Sequence, residues 1–137
     1  MQSKNRKNIL CVDYNPDNAE IVRFFLNQSG YQVETCETGE AALDLAKRAD
    51  FSLIMTEFRL PDMSGPAFCQ QVRKLAPKTP LMFFTASVQA WEKEQGLSSG
   101  AQAYLIKPDD LDKVTETVGS LIQNNSHSLP AVNRPTV

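Results

Sequence analysis

Four apolar runs in this chain each end in a residue that can do chemistry. "NILCV" (8–12) is followed by Asp13, "LIM" (53–55) by Thr56-Glu57, "PLMFF" (80–84) by Thr85 and "AYLI" (103–106) by Lys107. If the runs are neighbouring strands, ~4.8 Å apart, these side chains converge on one shallow pocket. Two acids, a hydroxyl and a lysine together would suit a phosphate group or a hard cation. The plainer arrangement of the same residues is a structural salt bridge from Glu57 to Lys107, with Thr85 capping the next helix. The residue types fit either. Glu57 is also followed at once by "FRLPDMSG", a Pro/Gly-bearing loop of the sort that carries function at a strand end.

The elements that must position these residues alternate along the chain. Strand-like runs are predicted at 8–13, 31–36, 51–56, 80–86 and 101–107. Between them lie helical patterns. In the first, Asn15 is the N-cap, Pro16 the first helical residue, and Ile21, Val22, Phe25 and Leu26 the core stripe, with Phe24 left over as an exposed contact. Thr38 caps the second, Pro77 stops the third, and Gly96 interrupts a thin fourth. Leu111, Val114, Val118, Leu121 and Ile122 mark the buried side of the last. Central strands that are apolar without alternation mean a parallel sheet covered on both faces. Right-handed crossovers make it doubly wound, with a crevice at the carboxyl ends of the strands. Residues 1–7 read as a basic extension, 8–123 as one domain, and 124–137 as a disordered polar tail.

Composition narrows the function. The chain has 137 residues, a formal net charge of −2, 42% apolar and 22% charged residues. That is an ordinary globular composition, without the basic excess that nucleic acid or an anionic membrane requires. No apolar run approaches the ~20 residues of a membrane span. No cleavable leader is recognisable, so a cytoplasmic location is expected. Cys11, Cys36 and Cys69 lack metal-type spacing and read as reduced, buried hydrophobes. The single histidine, His127, falls in the tail, which argues against a zinc site or a Cys/His pair.

Residues 8–123 resemble the receiver domain of bacterial response regulators, the module of two-component signalling. The resemblance is carried by "ILCVDYNP", "TGEAAL", "EFRLPDMSG", Thr85-Ala86 and "GAQAYLIKP", in that order. It implies a flavodoxin-like (βα)5 fold with strand order 2-1-3-4-5. It also implies an aspartate phosphoacceptor closing the third strand, two acids after the first strand holding magnesium, and a hydroxyl and a lysine holding the phosphoryl oxygens. Thr85 and Lys107 match the last two positions, and Tyr104 matches an aromatic switch that turns inward in the occupied state. Asp13 matches the first acid. The second acid is replaced by Tyr14, and the acceptor position holds Glu57.

Both replacements bear on the chemistry. Glutamate places its oxygens ~1 Å or more beyond an aspartate's, enough to spoil in-line transfer. A neutral phenol is a poor ligand for magnesium, so Asp13 and Glu57 are at best a weakened metal pair. No catalytic residue and no required cofactor are expected. A fixed Glu57 carboxylate paired with Lys107 would instead imitate a modified site, or freeze a resting one; Tyr104 turned inward favours the first, outward the second.

The implied partners are proteins: a histidine kinase, a phosphotransfer protein or an output protein. A homodimer through the fourth helix, fifth strand and fifth helix is a further expectation, and Trp91 lies in that region, although packing against the sheet is its plainer role. The rival reading is a small hydrolase resembling the haloacid dehalogenases, with Asp13 as nucleophile. There Asn15 stands where a second acid belongs, and no cap domain fits. A flavodoxin-type carrier is disfavoured because "YNPDN" lacks the Ser, Thr and Gly that cradle a flavin phosphate.

Overall fold

The computed structural model describes residues 7–127; the extension before Lys7 and the stretch after His127 lie outside the described residues. Five strands alternate with five helices: β1 (Asn8–Val12), α1 (Pro16–Gln28), β2 (Gln32–Cys36), α2 (Gly39–Arg48), β3 (Leu53–Thr56), α3 (Gly65–Leu75), β4 (Leu81–Thr85), α4 (Ala90–Ser98), β5 (Ala103–Ile106) and α5 (Val114–His127). All pairings are parallel, in the order β2-β1-β3-β4-β5.

The burial pattern explains the architecture. Every residue of β3 and β4 is buried, while the edge strands β2 and β5 are only partly covered. Along β1 the side chains alternate between two cores: Ile9 and Cys11 pack with Val22, Leu26, Val114, Val118 and Ile122, whereas Leu10 and Val12 pack with Ala42, Leu43, Phe68 and Val72. Helices α1 and α5 therefore cover one face, and α2 and α3 the other. Each fully buried Leu, Ile, Val or Phe contributes roughly 1.5–3 kcal/mol. Caps fix where the helices begin: Asn15 accepts the Asp17 and Asn18 N–H groups, Thr38 that of Ala41, and Ser64 that of Ala67.

Three expectations need correcting. On α1 the buried line is Ala19, Val22 and Leu26, while Ile21 and Phe25 are 47% and 42% exposed. Only this line enters the core, where Val22 and Leu26 pack with Ile9, Cys11, Leu53 and Met55, and Phe24 is exposed as well. Trp91 is 53% exposed rather than packed on the sheet, because α4 turns Glu92 and Gly96 inward. Helix α5 runs to His127, past the expected start of the tail at Asn124. No glycine or proline interrupts "QNNSH", and the first breaker is Pro130. Among the described residues no helix is long and apolar enough to cross a membrane.

Candidate functional site

The parallel ladder aligns the strand ends, and the residues just beyond them build the site. Asp13 follows β1, its N–H donating to Cys36 O at 2.9 Å. Glu57 follows β3, its N–H donating to Val12 O at 3.2 Å. Lys107 follows β5, its N–H donating to Thr85 O at 2.8 Å. The lysine stem crosses the end of β4, with its ammonium 5.6 Å from the Phe84 ring centre. It then donates to Asp13 Oδ2 at 2.5 Å and to Glu57 Oε2 at 2.6 Å. Asp13 Oδ1 also accepts the Asn15 N–H at 2.9 Å, tying the pocket to the start of α1. Asp13 and Glu57 are buried, and the Lys107 side chain is only 12% exposed.

Burial pulls the Lys107 pKa down. The hydrogen bonds and charges of Asp13 and Glu57 outweigh that and raise it. The ammonium therefore stays charged between two carboxylates, leaving the cluster one formal negative charge in excess. A crevice of about 80 Å³, lined in part by Ile21, Phe84, Lys107, Pro108 and Leu111, flanks the lysine stem. The peptide between Lys107 and Pro108 is cis.

Thr85 is fully buried, but its hydroxyl oxygen accepts the Ser87 N–H at 3.1 Å. It closes the turn after β4 and does not cap α4; Glu92 reaches back to the Gln89 N–H at 2.9 Å for that. The Ser87 carbonyl accepts the Tyr104 hydroxyl at 2.8 Å. Tyr104 is buried, its ring 5.4 Å from that of Phe83, which is the inward position. Burial first, and the nearby Glu92 and Glu57 charges next, push its hydroxyl up to about 12. Tyr14 is 55% exposed, so its phenol stands outside the pocket formed by Asp13, Glu57 and Lys107.

Asp13 and Glu57 already share one ammonium, and Tyr14 presents an exposed phenol, a poorer oxygen donor for magnesium than a carboxylate. The thiols take no part. Cys11 is buried, and burial pushes it and Cys36 up to about 12.

The loop after Glu57 is fixed by contacts that run far along the sequence. Asp62 Oδ1 and Oδ2 accept the Gly39 and Glu40 N–H groups, both at 2.9 Å, so the loop caps α2. The Gly65 N–H donates back to Phe58 O. A Cβ on Gly65 would lie 2.6 Å from Glu57 O and 2.8 Å from Phe58 O, so only glycine fits there. Arg59 Nη2 meets Glu92 Oε2 at 2.6 Å, joining the loop to α4. Sequence reasoning missed Asp62, Arg59, Ser87 and Glu92. Of these only Glu92 carried a local signal, at three residues past its N-cap.

Comparison with known proteins follows the same outline. A family model described as the response regulator receiver domain matches residues 9–119. The signal transduction histidine-protein kinase BarA of Escherichia coli K12 is 32% identical over 115 residues, which cover 82% of this chain and 12% of BarA. The alkaline phosphatase synthesis transcriptional regulatory protein PhoP of Bacillus subtilis is 30% identical over 91% of this chain and 52% of its own length. The chain thus spans only a part of these curated relatives. Among solved structures, the chemotaxis response regulator CheY4 of Vibrio cholerae superposes with a TM-score of 0.75 at 30% identity, covering 83% of this chain and 99% of that one. A two-component response regulator from Clostridium difficile gives a TM-score of 0.81 at 25% identity, covering 86% and 97%.

Proposed function

The chain belongs to the response regulator receiver domain family of two-component signalling, and from that premise we propose that it signals by binding protein partners, with its signalling face set by sequence instead of by phosphorylation of an aspartate. The observation that carries this reading is the 2.6 Å contact between Glu57 Oε2 and Lys107 Nζ. Glu57 takes the acceptor position and holds the lysine that would otherwise meet phosphoryl oxygens. Its carboxylate places one negative charge against Lys107 where a phosphoryl group would bring about two. Tyr104 is buried with its hydroxyl on Ser87 O, which is the position the active-like form of the reading requires.

The kind of partner follows from the family. A histidine kinase, a phosphotransfer protein or an output protein would meet this domain across its helical faces. The face of α4, β5 and α5, where Trp91 is 53% exposed, is the surface we assign to a partner or a second copy. Magnesium has no required part, and no turnover of a small substrate is expected.

The test is incubation of the full chain with a small-molecule phosphodonor and magnesium, read by intact mass. The reading predicts an unchanged mass. A stoichiometric, acid-stable and base-labile adduct on Glu57 would overturn it.

A further inference from the structure

Helix α4 turns two residues inward, Gly96 and Glu92. Gly96 lies on its buried side, where a Cβ would stand 3.0 Å from Tyr104 Cδ2 and Cε2 and 3.1 Å from Phe83 Cε2. The Tyr104 ring therefore rests directly on the α4 backbone, in space that any side chain at this position would contest. At the other end of α4, Glu92 is buried, accepts the Gln89 N–H and pairs with Arg59. Arg59 lies two residues past Glu57, and its guanidinium sits 5.4 Å above the Phe58 ring. That ring in turn meets Tyr104 at 6.3 Å and Trp91 at 6.1 Å between centres. The aromatic cluster is thus bounded by Gly96 below and by the Arg59–Glu92 pair at its rim.

We propose that Gly96 and the Arg59–Glu92 ion pair are positioning residues that keep Tyr104 buried whatever the charge state of the Glu57 pocket. The proposal rests on the reading that the signalling face is fixed, and it names what fixes it. Tyr104 makes its hydrogen bond to Ser87 O and its ring contacts to Phe83 and Phe58, and none of these partners is Glu57 or Lys107. A ring seated this way has no need of an occupied pocket. Burial of Glu92 makes its pairing with Arg59 matter more than an exposed ion pair would, because removing the partner leaves a desolvated charge.

The test uses the full chain labelled with 3-fluorotyrosine. It carries three tyrosines, Tyr14, Tyr31 and Tyr104, and Tyr104→Phe assigns the resonance of interest. The solvent isotope shift of that fluorine between water and deuterium oxide reports exposure. The shift should be near zero in the wild type and in Glu57→Gln. It should rise towards the value of exposed Tyr14 in Gly96→Ala and in Arg59→Ala, and return towards zero in Arg59→Lys, which restores the cation. Alanine is the better helix former, and Arg59 is largely exposed, so both variants should fold; unchanged far-ultraviolet circular dichroism verifies this. A Tyr104 that stays buried in both variants overturns the proposal, as does one that becomes exposed in Glu57→Gln alone. Exposure in only one of the two variants overturns the joint role. A phosphoryl adduct on Glu57 would instead remove the functional reading and leave this measurement standing.

Discussion

Lys107 Nζ lies 2.6 Å from Glu57 Oε2, a contact between residues fifty positions apart, and the same ammonium holds Asp13. One cation therefore bridges two acids delivered by different strands. Replacing it by Lys107→Met leaves both carboxylates buried without a counter-charge. The expected loss is about 3–5 kcal/mol of unfolding free energy at pH 7, measured by urea denaturation. A midpoint within error of the wild type would show that the cluster contributes nothing to the fold.

Alkaline titration should weaken the domain in a defined window. Tyr104 is raised from 10.0 to about 12 and Lys107 is raised above 10.5. A folded-state pKa above the unfolded one gives stability that is complete below the unfolded value and lost as pH rises through the folded value. The Cys11 and Cys36 thiols, raised from 9.0 to about 12, add to this, so the urea midpoint should be level up to about pH 9 and fall towards pH 12. Tyr104→Phe should flatten part of that fall; an identical profile in the variant would contradict the assignment.

Asp62 holds the Glu57 loop against α2 through two backbone N–H groups. Burial acts to raise its carboxyl pKa, but the hydrogen bonds from Glu40 and Gly39 prevail and lower it below 3.8. A depressed carboxyl stabilises above its unfolded pKa and loses that contribution as pH falls through the folded value. Asp62→Asn should be less stable than the wild type by about 1 kcal/mol at pH 7. The two midpoints should converge as pH falls through the lowered folded-state value. A gap that persists in acid would place the effect elsewhere.

Arg73 is another long-range tie. Its guanidinium donates to the carbonyls of Gly100, Ala76 and Thr79 and to Gln102 Oε1, joining α3 to the loops around β4 and β5. Arg73→Lys keeps the charge but not the planar fork, so it should lower the unfolding free energy, measured by urea denaturation, nearly as far as Arg73→Ala, on the order of 2 kcal/mol. A lysine variant as stable as the wild type would reduce the role to charge alone.

The legible part of the site is the part set by local pattern. Asp13, Glu57 and Lys107 each follow an apolar run, and parallel pairing brings run ends together, so their meeting could be anticipated from the chain. The partners of Asp62 lie 22 and 23 residues away and that of Arg59 lies 33 away. No periodicity reports on such contacts. The same limit applies to single residues beside a visible stripe. Ile21 and Phe25 sit about 100° around the helix from their buried neighbours Val22 and Leu26, so a sequence stripe of both pairs overstates the width of the buried line. Gly96 shows the opposite error: read as a helix breaker, it is the place where a tyrosine ring meets the helix backbone.

The central claim is that Glu57 and Tyr14 together close the route to ordinary phosphorylation. Its most direct test is intact mass after treatment with a small-molecule phosphodonor and magnesium, on the wild type beside the Glu57→Asp, Tyr14→Asp double variant. The account predicts an unmodified wild type and a double variant heavier by one phosphoryl group. A stoichiometric adduct on wild-type Glu57 would contradict it, and a double variant that stays unmodified would show that the block does not lie at these two positions.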